Sequence, residues 1–412
     1  MLFRNTISGG AIDQASPAAP VCSDTLSPRT NLAALSASGE ASVLSNGSLL
    51  LERSLSLLLA LCAQVCTLVP NDSRPDVEAI QAALFSSSKE VLKVYHDRDI
   101  ENPCAVSIVI RYFHAVCFHA VGNARVSWLV MGEAIRLAFE MHIHDESSLA
   151  SLNPIERQIR RAVYWQLSTG DRSSSILNSR PICFHDLNFE QPPSTIYIQE
   201  TPLQDQSRHG GSAVFEERLG IGFRLVSSLF SRATEVLMGL KALQQHLARC
   251  RSREVVQGFR RAIGEELLHF HTALDHLPDW LSCPWLWHDS TLSTTDFEYQ
   301  QHGFWIQHVN LQITYPTLKL VMVQKATELG LVDALGYSDD AVLLAIQKTE
   351  LANEVIVCVR RAPFEAIKVN GEPCVSSIYH SPNDIQPLSS CTGRKTTSGR
   401  SYYATDLSKS SQ

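Results

Sequence analysis

The sequence predicts an all-α protein, a large multi-helix domain between disordered N- and C-terminal tails. Apolar residues recur every three to four positions through most of residues 49–361, and no stretch there alternates between apolar and polar residues as strands do. Apolar residues make up 44% of the chain and charged residues 19%, so a large interior is expected. No repeat of roughly 20–50 residues is evident, which argues against a solenoid.

The composition divides the chain into three segments. Residues 1–48 are rich in Ser, Ala, Gly and Pro and are predicted to form a disordered arm. Residues 49–362 carry the helical periodicity and are predicted to form the folded domain. Residues 363–412 lose that periodicity and are interpreted as a low-complexity tail. A length of 412 residues would also allow two or three smaller domains.

Charge and cysteine content narrow the functional classes. A net charge of −7 and a pI near 6.1 provide no overall basic excess for direct binding to phosphate backbones. The eleven scattered cysteines, most beside apolar residues, indicate reduced thiols of the cytosol or nucleus. The longest apolar stretch, residues 55–69, is too short to span a membrane and contains Gln64. The sequence therefore predicts no membrane association and no signal peptide.

Three helices are predicted upstream of residue 125. They cover residues 49–68, 75–95 and 104–121. The first is expected to place one row of apolar side chains on a single face, consisting of Leu51, Leu55, Leu58, Leu59 and Cys62. A turn at residues 70–72 separates it from the second helix.

Two further helices are predicted within residues 125–193. In the first, a buried stripe is expected to consist of Trp128, Met131, Ile135 and Ala138. The second has a clear start, because Asn153 can cap it, Pro154 suits the first helical position, and Glu156 follows three residues after the cap. This helix should run to about residue 177, and Pro181 then biases Arg180 away from helical geometry.

The remaining elements lie beyond residue 193. Residues 194–211 suit a surface loop, and four helices follow, at residues 215–240, 254–277, 304–329 and 341–361. The third of these is expected to be interrupted at Pro316. Trp280 lies in a Leu-Pro-Asp-Trp-Leu sequence at the end of the second.

Two ordered sets of residues within residues 125–193 indicate a family. The first set is Ser127-Trp128, Gly132, Ala134-Ile135-Arg136, Ala138 and Ile143-His144. The second set is Glu156, Arg160-Arg161, Tyr164-Trp165, Asp171-Arg172, Arg180-Pro181 and Pro192-Pro193. Together they resemble the fungal-specific transcription factor domain, the helical middle region of fungal zinc-cluster regulators. Two positions depart from the family, which usually has a glycine where this chain has Met141-His142 and another where it has Ser179.

The resemblance implies a regulatory domain that responds to an effector, a protein partner or dimerisation. The residues to which it gives a signature or regulatory role are Trp128, Arg136, Arg160, Arg161, Trp165, Asp171, Arg172, Arg180 and Pro181. We expect Asp171 to pair with Arg136 and so to join the two signature helices, although an anionic effector site between helices is an alternative. The family also carries a six-cysteine cluster that binds two zinc ions. Only Cys22 lies in the N-terminal arm, so no zinc and no other cofactor is expected in this chain.

Catalytic and metal-binding patterns are weak. His269, His271, Asp275 and His276 could suggest a metal site, but helical spacing places them on two different faces. Cys117 between His114 and His119 could form a dyad, although packing in an apolar helix is the favoured interpretation. A basic run near Arg249–Arg261 is diluted by glutamates and is interpreted as a solvated face. No catalytic residue is predicted.

The sequence therefore predicts a transcription regulator of fungal metabolic genes, nuclear by family resemblance with a cytoplasmic location as the alternative. It would act through a protein partner or a second copy of itself, and would contact DNA only indirectly or through a missing segment. Two alternatives stay open. One is a helical small-molecule-binding protein or enzyme on the same scaffold, and the other is a truncated, non-functional regulator.

Overall fold

A computed structural model describes residues 32–68, 76–185, 213–249 and 252–370. In these residues the predicted all-α class is confirmed, because they form twelve α-helices and one 3-10 turn with no strand. The helices are α1 (Leu32–Cys66), α2 (Val77–Glu101), α3 (Ala105–Ala120), α4 (Ala124–Glu140), α5 (Glu146–Leu149), α6 (Pro154–Asn178), α7 (Ala213–Ala248), α8 (Arg253–His271), α9 (Asp279–Ser282), α10 (Thr294–Leu329), α11 (Ala341–Arg361) and α12 (Phe364–Asn370). The 3-10 turn, Val332–Leu335, lies between α10 and α11.

The ends of the helical region differ from the prediction. Helix α1 begins at Leu32, within the segment predicted as a disordered arm, and α12 lies within the predicted tail. Residues 32–48 contain many Ala and Leu, which favour helix intrinsically, but most positions of the helical period there hold alanine or serine instead of the large apolar residues from which the helix was predicted. The rest of the two predicted tails, the loop at 194–211 and Pro192-Pro193 lie outside the described residues.

The N-terminal half packs around one apolar cluster shared by α1, α3, α4 and α6. Its buried members include Ala60, Ile108, Ile135, Val163 and Leu167. In α4, however, the predicted stripe is only partly correct. The most buried side chains lie toward its C-terminal end, while Trp128 and Met131 are only partly covered. The expectation that Trp128 is a core residue is therefore wrong, because near the start of α4 the helix has left the core.

Both signature helices end with a residue in the left-handed conformation. His142 follows α4 with φ of 50°, and Ser179 follows α6 with φ of 54°. After α4 the Ile143 N–H donates to the Ala138 carbonyl at 3.1 Å, as in a Schellman motif. These are the two places where the resembled family carries glycine. The backbone keeps the glycine-like geometry although the side chains have changed.

The C-terminal half is built around a second, larger apolar cluster formed by α7, α8, α10, the 3-10 turn and α11. Leu240, Phe270 and Leu320 are among its buried residues. Helix α10 continues through Pro316 instead of breaking there, which corrects the prediction. Proline removes one helical hydrogen bond, but buried apolar residues on both sides of it hold the helix in place. Helix α8 also ends at His271, earlier than predicted.

Candidate functional site

The predicted signature residues form several separate contacts instead of one pocket. Asp171 of α6 is buried, and its Oδ2 accepts hydrogen bonds from the backbone N–H groups of Cys183 at 2.7 Å and Phe184 at 2.8 Å. Burial raises the pKa of Asp171, and these two backbone bonds oppose that rise. The predicted pair with Arg136 is wrong, because in the described part of the chain no ion pair joins the two residues and Asp171 bonds to backbone N–H groups instead. Asp171 instead joins the segment that follows α6 to that helix through these hydrogen bonds.

Charged residues of α6 also fix its N-terminal half. The Arg161 guanidinium forms an ion pair with Glu146 of α5, with Nε at 3.0 Å from Oε1. Arg160 pairs with Glu156 one turn earlier on the same helix, at 2.8 Å. Asn153 accepts from the Glu156 N–H at 2.9 Å, which confirms the predicted cap. All of these contacts join elements within the domain.

The remaining signature residues lie near the exit of α6. The Arg180 guanidinium carbon is 5.0 Å from the ring centroid of Trp128, so a cation–π contact joins this exit to α4. Arg172 is buried and donates to the Ser168 hydroxyl. Trp165 is partly buried and packs edge-on against its neighbour Tyr164, and Pro181 is exposed. A regulatory role for these nine residues stays a prediction.

The weaker chemical patterns also have positions in the fold. No group of three or more metal-ligating side chains comes together in the described residues. Burial raises the pKa of Cys117 to about 12, so this thiol is protonated and unsuited to nucleophilic attack. In the predicted basic run, Arg260 pairs with Asp333 at 2.6 Å and Arg261 with Glu265 at 2.9 Å.

Four charged residues from four helices meet in the N-terminal half, and we call them the four-charge cluster: Arg53, Asp99, Arg111 and Glu133. Asp99 of α2 accepts from the Arg53 Nε of α1 and from the Arg111 Nη1 of α3, both at 2.6 Å. The Arg111 Nε also donates to Glu133 of α4 at 2.7 Å. The side chains of Asp99 and Arg111 are 0% and 1% exposed. The formal charges sum to zero, as burial requires.

Hydrogen bonds extend the four-charge cluster on both sides. The Ser107 hydroxyl donates to Asp99 at 2.7 Å, and His96 lies 3.2 Å from Glu133. Burial alone would raise the pKa of Glu133, but the bond and charge of Arg111, with a smaller effect of His96, lower it overall. Glu133 is therefore ionised at neutral pH and completes the charge balance around Arg111.

A polar contact further along α1 joins the same helices. The Ser88 hydroxyl of α2 donates to the Ser56 carbonyl of α1 at 2.8 Å and lies 2.8 Å from the His114 Nε2 of α3. Burial, together with the charges of Arg111 and Lys89, lowers the pKa of His114 to about 4. Neutral His114 therefore belongs to the buried structure that holds α1, α2 and α3 together.

These inward contacts determine which side of α1 faces outward. Arg53, Ser56, Ala60 and Ala63 are buried on the inner side. The opposite side carries what we call the leucine stripe: Leu51, Leu55, Leu58, Cys62 and Val65. Its leucines and valine are 46–72% exposed, and Cys62 is partly exposed. The intervals along the leucine stripe are four, three, four and three residues, the spacing of coiled-coil seams.

The apolar character of α1 also shows in its hydropathy. Gly47–Cys66 is a 20-residue stretch that is long and apolar enough to cross a membrane by length and composition, and about a third of it is buried in the fold. The prediction considered only residues 55–69 and missed this longer stretch. Helices in the cores of soluble proteins pass the same test, and Arg53 in this stretch is held by Asp99.

The sequence interpretation missed the four-charge cluster because its members come from separate helices. One signal was present. Arg111 lies three residues after Ile108 and four before Ala115, and therefore on an apolar face of α3. A charged residue in such a row needs a buried partner, but the sequence does not reveal that the partner is Asp99. Four members of the leucine stripe belong to the predicted row, but that row included partly buried Leu59 instead of Val65 and was not predicted to face outward.

Comparison with known proteins supports the family resemblance. The chain is 25% identical over 85 residues to an uncharacterized transcriptional regulatory protein of Schizosaccharomyces pombe. It is 34% identical over 83 residues to the Fusaridione A cluster transcription factor of Fusarium heterosporum. It is also 36% identical over 64 residues to the Aurofusarin cluster transcription factor of Gibberella zeae. The predicted resemblance to fungal transcription regulators is thus confirmed.

All three similarities are partial. They cover 21%, 19% and 16% of this chain, and the matched stretches span 11%, 16% and 10% of the respective relatives. No family model matches the chain. No solved structure matches it either. The class that fold and similarity define is that of an all-helical protein related to fungal transcription regulators.

Proposed function

We propose that this protein is a regulator of fungal metabolic genes that works in the nucleus through protein contacts made by its helical domain. The observation that carries the proposal is the similarity to three fungal transcription regulators, two of which are named for the fusaridione A and aurofusarin clusters. The net charge of −7 favours an indirect route to DNA, through a partner that binds it. The proposal assigns the chain no catalytic role and no cofactor.

The leucine stripe is the surface that we propose for this contact, and a second copy of the chain is the proposed occupant. Its alternating spacing of four and three residues is matched by another helix with the same spacing, which an identical α1 supplies. Between residues 47 and 66 the only charged residues are Glu52 and Arg53. Arg98 pairs with Glu52 and Asp99 with Arg53, so the leucine stripe itself carries no charge that would repel a second copy.

Sequence spacing extends the same argument toward the start of α1. Continuing the four–three intervals upstream from Leu51 reaches Ser48, Leu44, Ala41, Ala37 and Ala34, all small or apolar residues. The helix of 35 residues is about 50 Å long at 1.5 Å per residue. Pairing along that length would provide an interface in the range of stable dimers, whereas the five residues of the leucine stripe alone would not.

A tethered reporter assay tests the regulatory function. The full chain is fused to a heterologous DNA-binding module and expressed in a fungal host with a reporter gene behind the matching site. We expect reporter expression to change several-fold in either direction, relative to the module alone. An equally abundant Asp99→Asn variant, which disrupts the four-charge cluster, should lose most of that change. Reporter expression that does not respond to the wild-type fusion would contradict the proposed function.

A further inference from the structure

A cleft in the C-terminal half provides a second, separate surface. It lies between the segment after α9, the middle of α10 and the end of α11, and has a volume of about 460 Å³. That volume falls in the range of sites for small molecules. Its lining includes Trp285, Trp305, His308, Gln312, Cys358 and Arg361.

Aromatic side chains form one wall of this cleft. The rings of Trp285 and Trp305 lie 5.4 Å apart at 35°, and the His308 ring meets both edge-on at 5.6 and 5.7 Å. Trp285 is 52% exposed although it is a large apolar side chain. Val309 and Val357 add apolar area from α10 and α11. A flat apolar molecule fits such a wall better than a strongly hydrated one.

The polar groups in the cleft have defined roles. The His308 Nδ1–H donates to the Leu281 carbonyl at 2.7 Å, which fixes the tautomer of the neutral ring. Burial lowers the pKa of His308, and the Leu281 bond only partly opposes this, so the ring is neutral at pH 7. Its Nε2 therefore accepts a hydrogen bond. Gln312 adds an amide, and Pro316, which has no N–H, deprives the Gln312 carbonyl of its helical donor.

The charge at the cleft is positive. Arg361 is exposed at its edge and forms no ion pair within the described part of the chain. Burial and the charge of Glu354 raise the pKa of the Cys358 thiol there, and the Glu354 carboxylate pairs with Lys319 at 3.6 Å. A guanidinium without an acidic partner at the edge of an aromatic cleft favours a carboxylate ligand.

We propose that this cleft binds a planar aromatic carboxylic acid bearing a ring hydroxyl. The ring system packs against Trp285 and Trp305, the carboxylate pairs with Arg361, and the hydroxyl donates to the His308 Nε2. The site would make the protein a receptor for an aromatic acid, a function beyond its proposed pairing through α1. The leucine stripe is on a different half of the chain, so binding and pairing can be tested independently.

Calorimetric titration of the full chain with 6-hydroxy-2-naphthoate, whose hydroxyl is too far from its own carboxylate to donate to it, tests the site. We expect saturable binding with one molecule per chain. Arg361→Gln should weaken binding of this acid at least tenfold but leave the affinity for uncharged 2-naphthol unchanged. Trp285→Ala should weaken binding of both compounds, and its exposed position allows the fold to persist, which a thermal melt verifies. Arg360→Gln, a neighbouring exposed arginine outside the cleft, is the matched control and should bind as wild type does.

The outcomes separate this proposal from the proposed function. Absence of saturable binding by the wild-type chain would overturn it. Equal losses in Arg361→Gln and Arg360→Gln would also overturn it, because the carboxylate would then be held by general charge. A Leu58→Glu variant should keep wild-type affinity for the acid, even if it no longer pairs. A chain that changes reporter expression but does not bind the acid would contradict only the aromatic-acid proposal. A chain that binds the acid but does not change reporter expression would contradict only the regulatory proposal.

Discussion

Both halves of this protein have an apolar core, but only the N-terminal half adds a buried cluster of charges that joins four of its described helices. In the N-terminal half, α1 to α4 converge on the four-charge cluster, where buried Asp99 bridges Arg53 and Arg111. In the C-terminal half, α7, α8 and α10 meet through apolar side chains such as Leu240, Phe270 and Leu320. Apolar packing contributes stability but tolerates small rotations of a helix. A buried ion pair contributes less net stability because desolvation opposes it, and we expect its directional hydrogen bonds to restrict how the four helices can be arranged.

The largest expected effect lies in the N-terminal half. Asp99→Asn leaves Arg53 and Arg111 buried without their carboxylate, which should lower the free energy of unfolding by about 3–5 kcal/mol in urea titrations. Asp97→Asn, whose side chain is fully exposed, is the matched control and should change little. Replacing Arg53, Asp99 and Arg111 together by Met, Leu and Met should recover much of the loss. A single Asp99→Asn effect below about 1 kcal/mol would remove the distinction between the halves.

The second-largest expected effect is a loss of stability at low pH that depends on buried His114. His114 has a folded-state pKa of about 4 against 6.5 in the unfolded chain, so its stabilising contribution is full above pH 6.5 and declines as the pH falls toward 4. Between pH 7 and 5 the loss should reach about 2 kcal/mol, before Glu133, whose pKa is lowered, begins to protonate. Urea unfolding should show a steeper loss in wild type than in His114→Gln, which keeps only the smaller contributions of other histidines with lowered pKa values, such as His308. Parallel pH profiles would contradict the assignment.

Close packing in the C-terminal half predicts opposite effects for two helical glycines. An added Cβ at Gly239 of α7 would lie 2.7 Å from the Ile263 Cγ1 of α8, so Gly239→Ala should destabilise by about 1–3 kcal/mol. Gly258 of α8 is exposed and has no heavy atom within 4 Å of that position, so Gly258→Ala should stabilise by about 0.5–1 kcal/mol. If both substitutions shift the melting temperature in the same direction, α7 and α8 are packed less closely at Gly239 than the structure shows.

The smallest changes in stability are expected at His142 and Ser179, the two residues in left-handed conformation that follow α4 and α6. Ser179→Gly and His142→Gly should each raise the free energy of unfolding by about 1 kcal/mol, because glycine adopts these φ values without a Cβ penalty. Gly122→Ala provides the reverse control, since its φ is 79° and its surroundings are open, and it should lose a similar amount. If Ser179→Gly lowers the free energy of unfolding, the contacts of the Ser179 side chain stabilise the fold by more than its left-handed backbone conformation destabilises it.

Local patterns explain what could be predicted from the sequence. The all-α class and the Asn153 cap depend on neighbours within a few residues, and the sequence contains that information. The partners of Asp99 and Asp171 depend on tertiary contacts, so Arg111 and the N–H groups of Cys183 and Phe184 were not predicted. The continuous α10 shows the same limit, because the packing that holds Pro316 in a helix comes from other elements.

The contrast between the halves leads to the central claim, that buried charges set α1 so that its leucine stripe pairs with a second copy of the chain. Light scattering coupled to size exclusion measures this most directly. We predict a molar mass of twice the 45.7 kDa chain for wild type and a single-chain mass for Leu58→Glu. Leu268→Glu, which changes an even more exposed leucine on α8, should remain a dimer. A wild-type mass of 45.7 kDa at all concentrations, or a dimer that persists in Leu58→Glu, would contradict the claim.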